Sequence, residues 1–327
     1  MKRVLLTQPI RPKGMELLAK DVEVVVAPDR TEKTALSMIG GVDAVITRTT
    51  AINEQMVGRG ERLKVIGRHG AGLDIVEMKS ATDHGVCVVN TPGANAQSVA
   101  EFVVVMMMSM ARQLIPADHA QRVEGRFGLR DGFMGMDIRG KTVGIVGMGQ
   151  IGRKIAKICR GGFDMEILGF DPFVTGEDLA TIGVKKMETV DDLLRLSDFV
   201  SLNCPLTPDV EGLINRERIG MMKPTAYLIN CARGPVIDEP SLIWALQTKR
   251  IAGAALDVFT EEPPRPDNPL FKLPGLIATP HIAAFSHDSM DAMSLTVAED
   301  VLRVLKGEMP RHLANPPVWE KRRRDHQ

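Results

Sequence analysis

A strand, a glycine-rich turn and a helix follow one another between residues 142 and 160, and this order constrains the fold more than any other feature. Thr142–Gly147 has the sequence TVGIVG, an apolar run typical of a buried parallel strand. It continues into Gly147-Met-Gly149-Gln-Ile-Gly152, and Arg153–Arg160 then has a helical pattern. A G-x-G-x-x-G turn between a strand and a helix is typical of the dinucleotide-binding fold.

The motif has a physical reason at each glycine. Gly147 allows the tight turn, Gly149 lets the backbone approach a pyrophosphate, and Gly152 lets the helix pack closely on the strand. The N–H groups and partial positive charge at the start of the helix attract phosphates. The next strand ends in Asp171, whose carboxylate can accept both hydroxyls of the adenosine ribose and would repel a 2′-phosphate. No Arg immediately follows Asp171, so we expect NAD rather than NADP.

Short apolar runs alternate with helical patterns along the whole chain, which predicts parallel sheets covered on both faces. The expected strands are Arg3–Thr7, Val22–Val26, Ala44–Thr47, Lys64–Gly67 and Val86–Asn90, then Thr142–Gly147, Met165–Asp171, Asp198–Asn203, Ala226–Cys231, Gly253–Val258 and Leu276–Thr279. The second group has the strand count of the doubly wound dinucleotide-binding fold. A long apolar helix is expected over Ala96–Gln113, followed by a connector over Gly125–Gly140, and the last helix over Ser286–Leu305.

Composition excludes several classes of protein. The 327 residues fit about two domains, and 44% hydrophobic with 25% charged residues is ordinary for a globular chain. The 41 basic and 41 acidic residues balance, so nothing favours nucleic acid or anionic lipid as a partner. We expect neither a signal peptide nor a membrane span. The four scattered cysteines predict reduced thiols in a cytoplasmic protein, and no metal site.

Titratable residues follow three of the late strands, where ligands bind in open α/β sheets. They are Arg233 in INCARG, Asp257, Glu261 and Glu262 in DVFTEEP, and His281 in TPHIA. An Arg can bind a substrate carboxylate through two hydrogen bonds, and a His beside a carboxylate can move a proton near neutral pH. This set fits hydride transfer at a 2-hydroxy acid. The remaining histidines other than His69 are expected on the surface: His84, His119, His287, His312 and His326.

Over nearly its full length the chain resembles the D-isomer-specific 2-hydroxyacid dehydrogenase family. The stretches that carry the resemblance are Arg68-His-Gly-Ala-Gly-Leu-Asp74, Ser98-Val-Ala-Glu101, GMGQIG, Cys204-Pro-Leu-Thr207-Pro, INCARG, DVFTEEP and TPHIA. The resemblance implies that Arg233 binds the substrate, that His281 is the acid/base and that Glu262 is its partner. It also implies that Asp257 holds the nicotinamide carboxamide. The expected cofactor-binding residues are Gly147, Gly149, Gln150, Ile151, Gly152, Asp171, Pro205, Thr207, Cys231, Ala232, Asp257 and Ala283.

The family implies an α/β fold of two doubly wound parallel-sheet domains. A Rossmann NAD-binding domain, residues 99–286, is inserted in a flavodoxin-like substrate domain, residues 1–98 and 287–327. Catalysis is expected in the cleft between them, with the backbone of Ala71 and Gly72 contacting the substrate carboxylate. The helix and connector after residue 100 are expected to form a homodimer interface. A regulatory domain of the kind some phosphoglycerate dehydrogenases carry is not expected.

The substrate is the least determined feature. The stretches Ile46-Thr-Arg48-Thr-Thr and Arg68-His-Gly-Ala-Gly resemble those of phosphoglycerate dehydrogenases more than those of glyoxylate reductases. Arg48 and Arg68 could bind a phosphate or second carboxylate, although Arg48 could equally pair with a surface acid. His69 either contacts substrate or fills a variable position. We expect an NAD-dependent dehydrogenase that interconverts a D-2-hydroxy acid and its 2-oxo acid, with 3-phosphoglycerate or another acidic hydroxy acid as substrate. A glyoxylate or hydroxypyruvate reductase, and a corepressor-like NAD-linked binding protein, stay open as alternatives.

Overall fold

A computed structural model describes residues 1–324, and the chain divides into two compact units. The first contains Met1–Asn95 together with the chain from Phe285 onward, and the second is the continuous stretch Ala96–Ala284. The domain boundaries after residues 98 and 286 stay a prediction. The expected surface position of His326 and the end of the predicted substrate domain lie outside the described residues.

The first unit is built on a five-stranded parallel sheet in the order β2-β1-β3-β4-β5. This is the order of the flavodoxin-like sheet predicted from the sequence. One face packs on the C-terminal helix and the other on shorter helices, so the strands are buried on both sides. The strands are β1 Arg3–Leu6, β2 Glu23–Val26, β3 Ala44–Thr47, β4 Val65–Arg68 and β5 Cys87–Val89, and the helices are α1 Pro12–Ala19, α2 Glu32–Met38, α3 Glu54–Arg59, α4 Met78–Asp83 and α12 His287–Leu305.

The second unit is a seven-stranded parallel sheet in the order β12-β11-β10-β9-β6-β7-β8, which confirms the doubly wound fold. The chain order reverses between β6 and β9, and ligands bind at such a point in open α/β sheets. The strands are β6 Thr142–Val146, β7 Glu166–Phe170, β8 Lys185–Lys186, β9 Phe199–Leu202, β10 Tyr227–Asn230, β11 Gly253–Leu256 and β12 Leu276–Ala278, and the helices are α5 Ala96–Ala111, α6 Leu114–Arg122, α7 Gln150–Phe163, α8 Gly176–Thr181, α9 Val190–Leu196, α10 Arg216–Met221 and α11 Glu239–Gln247.

Two elements of the second unit differ from the sequence prediction. The count of six strands is wrong because β8 adds a two-residue edge strand of lysines, which has no apolar pattern to reveal it. The long apolar helix ends at Ala111, not at Gln113. Gln113 has a left-handed backbone (φ 49°), and α6 begins directly after it.

The surface position expected for His312 is met only in part. Its side chain is only 32% exposed, because the Nδ1 atom lies 2.8 Å from the carboxylate of Asp300, which is almost fully buried.

Among the described residues no single helix is long and apolar enough to span a membrane. The adjoining helices α5 and α6, bent by 65°, meet the length and composition criteria only as a pair.

Candidate active site

The candidate catalytic residues of the second unit follow neighbouring strands at one edge of its sheet. Arg233 comes after β10, Glu262 comes after β11, and His281 comes after β12. These strands are adjacent and parallel, so their carboxyl ends lie at the same edge. The fold therefore brings together three residues that are far apart in the sequence.

Glu262 and His281 form a hydrogen-bonded pair. Nδ1 of His281 lies 2.7 Å from Oε2 of Glu262, and Oε1 of Glu262 accepts a hydrogen bond of 3.0 Å from the backbone N–H of Phe259. Burial opposes ionisation of Glu262. Hydrogen bonds from His281 and Phe259 and the charges of His281 and Arg233 outweigh it, so the pKa of Glu262 lies below its usual value. The ionised carboxylate can only accept, and Nδ1 must donate.

The other imidazole nitrogen is left available for chemistry. Nε2 of His281 has no hydrogen-bond partner among the described residues, and the side chain is 51% exposed. An imidazole held at Nδ1 by a carboxylate, with Nε2 open, can take a proton from a hydroxyl and return it. Of the two adjacent glutamates, Glu262 contacts the His281 imidazole, whereas Glu261 is exposed.

Asp257 anchors the segment that carries His281. It is fully buried; Oδ1 accepts hydrogen bonds from Thr279 Oγ1 at 2.6 Å and from the N–H of Ile282 at 2.9 Å, and Oδ2 accepts from the N–H of Ala283 at 2.8 Å. The N–H of His281 donates to the carbonyl of Asp257 at 2.8 Å. His281 has a left-handed backbone (φ 54°), a conformation that costs energy in a non-glycine residue and here is held by these bonds.

The turn that carries Arg233 is held by two residues that the sequence reasoning did not single out. The buried amide of Asn230 accepts a hydrogen bond from the N–H of Ala232 at 3.0 Å and donates to the carbonyl of Arg233 at 2.9 Å. Gly234 then passes so close to Phe259 that a Cβ atom would lie 2.0 Å from its carbonyl carbon. The sequence offered one sign of this support: Asn230 ends an apolar strand, and a buried amide at that position must form hydrogen bonds with the turn that follows.

The glycine motif has the geometry that a pyrophosphate requires. Gly147 has φ 94°, and a Cβ atom there would lie 2.7 Å from Cys204 N. A Cβ atom on Gly152 would lie 2.3 Å from the carbonyl oxygen of Gly147, whereas one on Gly149 would meet no atom within 4 Å. The turn is thus closely packed at its ends and open at its centre, where the first N–H groups of α7 have no partner within the helix.

Asp171 is fixed at the end of β7. Oδ2 accepts from the N–H of Met148 at 2.9 Å, and Oδ1 accepts from the N–H of Phe173 at 2.9 Å. A carboxylate offers about four lone pairs, so capacity remains for two ribose hydroxyls. The residues of the second unit therefore fit a bound dinucleotide.

The other predicted cofactor residues lie at the start of α7 and in the loops after β9, β10 and β12. Pro205 and Thr207 are exposed, Cys231 and Ala232 are half-buried, and Ala283 is buried; Gln150 and Ile151 open α7. Burial, followed by the charge of Asp257, raises the pKa of the Cys231 thiol, which disfavours the reactive thiolate form.

In the first unit, the loop after β4 presents two backbone N–H groups without acceptors. Among the described residues, the N–H groups of Ala71 and Gly72 donate to nothing. Asn90 Nδ2 donates to the carbonyl of Ala71 at 2.8 Å, and Arg68 Nε donates to that of Gly72 at 2.9 Å. Arg68 Nη1 also donates to the carbonyl of His69. Arg68 thus folds over its own loop and supports it.

Arg48 and His69 lie near each other in the same unit. The guanidinium of Arg48 lies 5.1 Å from the ring centre of Phe285, and burial followed by repulsion from Arg30 lowers its pKa. His69 is 3% exposed, with Nε2 2.9 Å from Ser294 Oγ. Burial, then the charge of Arg48, lowers its pKa to about 4, so the ring is neutral at physiological pH.

No group of three or more His, Cys, Asp or Glu residues within 1–324 could hold a metal ion. All four cysteines are free.

The NAD binding domain of the D-isomer specific 2-hydroxyacid dehydrogenases matches residues 104–283. The chain is 38% identical to D-3-phosphoglycerate dehydrogenase of Methanocaldococcus jannaschii over 318 residues, 97% of this chain and 60% of that protein. It is 35% identical to glyoxylate reductase of Korarchaeum cryptofilum over 323 residues, 97% of this chain and 96% of that protein. The chain belongs to the D-isomer specific 2-hydroxyacid dehydrogenase family, and it carries that family's NAD-binding domain.

Solved structures agree with this assignment. The NADPH-dependent glyoxylate/hydroxypyruvate reductase of Sinorhizobium meliloti has a TM-score of 0.85 at 26% identity and covers 97% of this chain and 99% of its own. The D-lactate dehydrogenase of Escherichia coli has a TM-score of 0.82 at 28% identity, over 96% and 100%. The chain spans about 60% of the length of the curated phosphoglycerate dehydrogenases that it matches.

Proposed function

We propose that the protein is an NAD-dependent dehydrogenase that interconverts a D-2-hydroxy acid and its 2-oxo acid. The observation that carries the proposal is the 2.7 Å contact between Nδ1 of His281 and Oε2 of Glu262, with Nε2 free of other partners among the described residues. A hydroxyl group must lose its proton when hydride leaves the same carbon, and this pair can take that proton.

Each candidate residue of the second unit has its own role in the proposed reaction. The glycine motif and Asp171 would hold NAD, which would supply the hydride acceptor for oxidation and, as NADH, the hydride donor for reduction. His281 Nε2 takes the hydroxyl proton, and the charge of Glu262 stabilises the imidazolium that forms. Arg233 binds the substrate carboxylate and polarises the carbonyl oxygen. In the reduction direction His281 donates the proton to that oxygen.

The first unit supplies recognition in this proposal. The N–H groups of Ala71 and Gly72, which lack acceptors among the described residues, accommodate carboxylate oxygens. Arg68 supports that loop through its bonds to the carbonyls of His69 and Gly72, a supporting role added to the predicted direct contact with substrate.

A second anionic group on the substrate is the proposed basis of specificity. The guanidinium of Arg48 packs on the ring of Phe285, and burial, followed by repulsion from Arg30, lowers its pKa. An anion would relieve this repulsion, and 3-phosphoglycerate carries such a group. Similarity to relatives named D-3-phosphoglycerate dehydrogenase supports this choice. Glyoxylate or hydroxypyruvate reduction is the second candidate, supported by relatives named glyoxylate reductase.

An assay of NADH oxidation over a set of 2-oxo acids tests the proposal. We expect turnover with 3-phosphohydroxypyruvate to exceed turnover with hydroxypyruvate, glyoxylate and pyruvate. The Arg48→Ala variant should lower kcat/KM for the phosphorylated substrate by about 100-fold, the usual order for losing a charged hydrogen-bonding partner, and leave that for glyoxylate within a few-fold. Equal loss on both substrates would remove the phosphate assignment, and absence of turnover on every acid would refute the enzyme assignment.

We also propose a homodimer in the cytoplasm. Large apolar side chains are exposed along residues 105–134, with Val123 68%, Phe127 69% and Met134 82% exposed. A second copy that covers this segment would remove them from water. Sedimentation should give twice the monomer mass, and Phe127→Lys should lower it. The four free thiols fit a reducing compartment.

A further inference from the structure

Helix α12 begins at the carboxyl edge of the first unit's sheet. A Cβ atom on Gly67, within β4, would lie 2.8 Å from side-chain atoms of both Val297 and Val301. The next residue but one, His69, instead contacts Ser294, whose Oγ lies 2.9 Å from its Nε2. Residue numbers in α12 therefore fall as those in β4 rise. The first turn of the helix thus lies beyond the carboxyl ends of the strands, where ligands bind in open α/β sheets.

The first turn of α12 favours negative charge. The helix has 19 residues, and its aligned peptide dipoles place a partial positive charge at this end. Its first N–H groups have no acceptors within the helix. Asp288, the acid of the first turn, is exposed to solvent. Asp291, in the next turn, is already paired with Arg11 at 2.8 Å and with Lys13 at 3.0 Å.

Arg48 lies beside this end of α12. Its guanidinium is 5.1 Å from the ring centre of Phe285, which comes just before the helix. The N–H of His69 donates to the carbonyl of Thr47 at 2.9 Å, so Arg48 and His69 follow neighbouring strands side by side. After burial, the charge of Arg48 is the next cause that lowers the pKa of His69. The field at this edge is therefore positive.

Two buried side chains at the same place have polar atoms without hydrogen-bond partners. Nδ1 of His69 and Oγ of Ser289 have none among the described residues, and each residue is only 3% exposed. Ser289 belongs to the first turn of α12 and shares a buried stripe with Met293 and Val297, the stripe that faces the sheet. Buried polar groups nearly always have a partner. These two atoms therefore indicate a ligand between α12 and the loop after β4.

Ser294 allows His69 to act as a hydrogen-bond donor toward such a ligand. The Oγ atom of Ser294 accepts from the N–H of Arg11 at 3.1 Å, which leaves its hydroxyl hydrogen for Nε2 of His69. A neutral imidazole that accepts at Nε2 carries its proton on Nδ1. The unpartnered nitrogen can then donate to a negatively charged oxygen.

We propose that the first turn of α12, together with Arg48, His69 and Ser289, binds a second anionic group of the substrate. The inference rests on the proposed function and narrows its substrate class to 2-hydroxy acids that carry a further phosphate or carboxylate. Guanidinium, imidazole, hydroxyl and helical N–H groups all donate hydrogen bonds, and a phosphate offers acceptors to several donors at once. The N–H groups of Ala71 and Gly72 keep their proposed role toward the carboxylate beside the reacting carbon.

Titration calorimetry of the whole protein saturated with NADH tests this subsite. D-3-phosphoglycerate and D-glycerate are the two ligands, because they differ only in the phosphate and cannot transfer hydride to NADH. We expect the unaltered protein to bind the phosphorylated acid about 100-fold more tightly. Ser289→Ala and His69→Leu should each lower this preference by about ten-fold, the usual effect of losing a hydrogen bond to a charged group. If His69→Leu does not fold, Ser289→Ala, a small change, provides the test.

Matched variants and a separate assay make the result decisive. His84→Leu and Ser37→Ala alter an exposed imidazole and an exposed hydroxyl of the same unit and should keep the preference within about two-fold. If Ser289→Ala and His69→Leu weaken both ligands equally, or lower only the Tm, the two polar atoms have a structural role and the proposal is wrong.

The same titration separates this subsite from the proposed reaction. Equal affinity of the unaltered protein for the two acids, or no binding of either, would overturn the subsite, whereas turnover of 2-oxo acids would still uphold the reaction. A preference for the phosphorylated acid that is lost in both variants, without turnover of any 2-oxo acid, would refute the reaction and support the subsite.

Discussion

Gly234 and Phe259 touch through their backbones: a Cβ atom on Gly234 would lie 2.0 Å from the carbonyl carbon and 2.1 Å from the carbonyl oxygen of Phe259. This contact joins the turn that carries Arg233 to the segment whose N–H group, at Phe259, holds Glu262. The positions of the Arg233 guanidinium and the Glu262 carboxylate therefore depend on Gly234 having no Cβ atom.

Gly234→Ala should displace one of these two segments. Overpacking of this kind costs about 1–3 kcal/mol, and a shift of about 1 Å in catalytic groups can lower the rate about 100-fold. We expect kcat to fall by that order while NADH fluorescence titration shows a nearly unchanged Kd. The control is Gly220→Ala, where a Cβ atom meets nothing within 4 Å. Full activity in Gly234→Ala would show that the contact does not position Arg233.

His281→Gln should remove the proton acceptor and lower kcat by about 10²–10⁴-fold, the usual contribution of general acid–base catalysis. Glu262→Gln keeps the shape but loses the charge that stabilises the imidazolium, so we expect a smaller loss. Stopped-flow rates of NADH oxidation measure both. Glu261→Gln, at the exposed neighbouring residue, should behave as the unaltered protein. A larger loss in Glu261→Gln than in Glu262→Gln would exchange their roles.

Asp171→Ser should change the cofactor preference. Removing the carboxylate relieves repulsion of a 2′-phosphate, so kcat/KM for NADPH relative to NADH should rise about ten-fold or more. Glu166→Gln, at the exposed start of β7, provides the charge-matched control. If the unaltered protein already prefers NADPH, like the NADPH-dependent reductase of Sinorhizobium meliloti, the assignment of NAD from Asp171 is wrong.

Asp257→Asn distinguishes two roles for this buried carboxylate. An amide oxygen cannot replace both carboxylate oxygens that receive Thr279, Ile282 and Ala283, so we expect a loss of about 2–3 kcal/mol in the free energy of unfolding. Urea denaturation measures it, with the exposed Asp267→Asn as control. Unchanged stability together with a raised KM for NADH would favour the predicted contact with the nicotinamide carboxamide alone.

The neutral state of His69 predicts a pH dependence of stability. Its pKa falls from 6.5 to about 4 on folding, so the unfolded chain binds more protons between these values. The contribution of the neutral His69 ring to the free energy of unfolding is fully present above pH 6.5 and is lost as the pH falls toward 4. Between pH 7 and pH 5 the loss is about 2 kcal/mol. Urea titrations should show it in the unaltered protein and in the exposed control His287→Gln, but not in His69→Gln.

The two sheets and the grouping of the candidate catalytic residues could be predicted because they depend on local patterns. Apolar runs revealed the strands, and parallel pairing then places Arg233, Glu262 and His281 at one edge of the sheet. β8 could not be predicted, because this edge strand consists of two lysines and therefore has no apolar pattern. The roles of the site residues stay predictions.

Other features depend on contacts between distant residues and could not be seen in a one-dimensional pattern. The closeness of Gly234 to Phe259 is one, and the convergence of three donors on Asp257 is another. The bond between His312 and Asp300 likewise required the folded chain.

The second unit is a single uninterrupted stretch, Ala96–Ala284, and it holds the glycine motif together with Arg233, Glu262 and His281. One continuous piece of the gene therefore encodes every residue proposed here to hold NAD and to move the proton. Substitutions in the loop of Ala71 and Gly72, which belongs to the other unit, can alter substrate recognition without touching that piece.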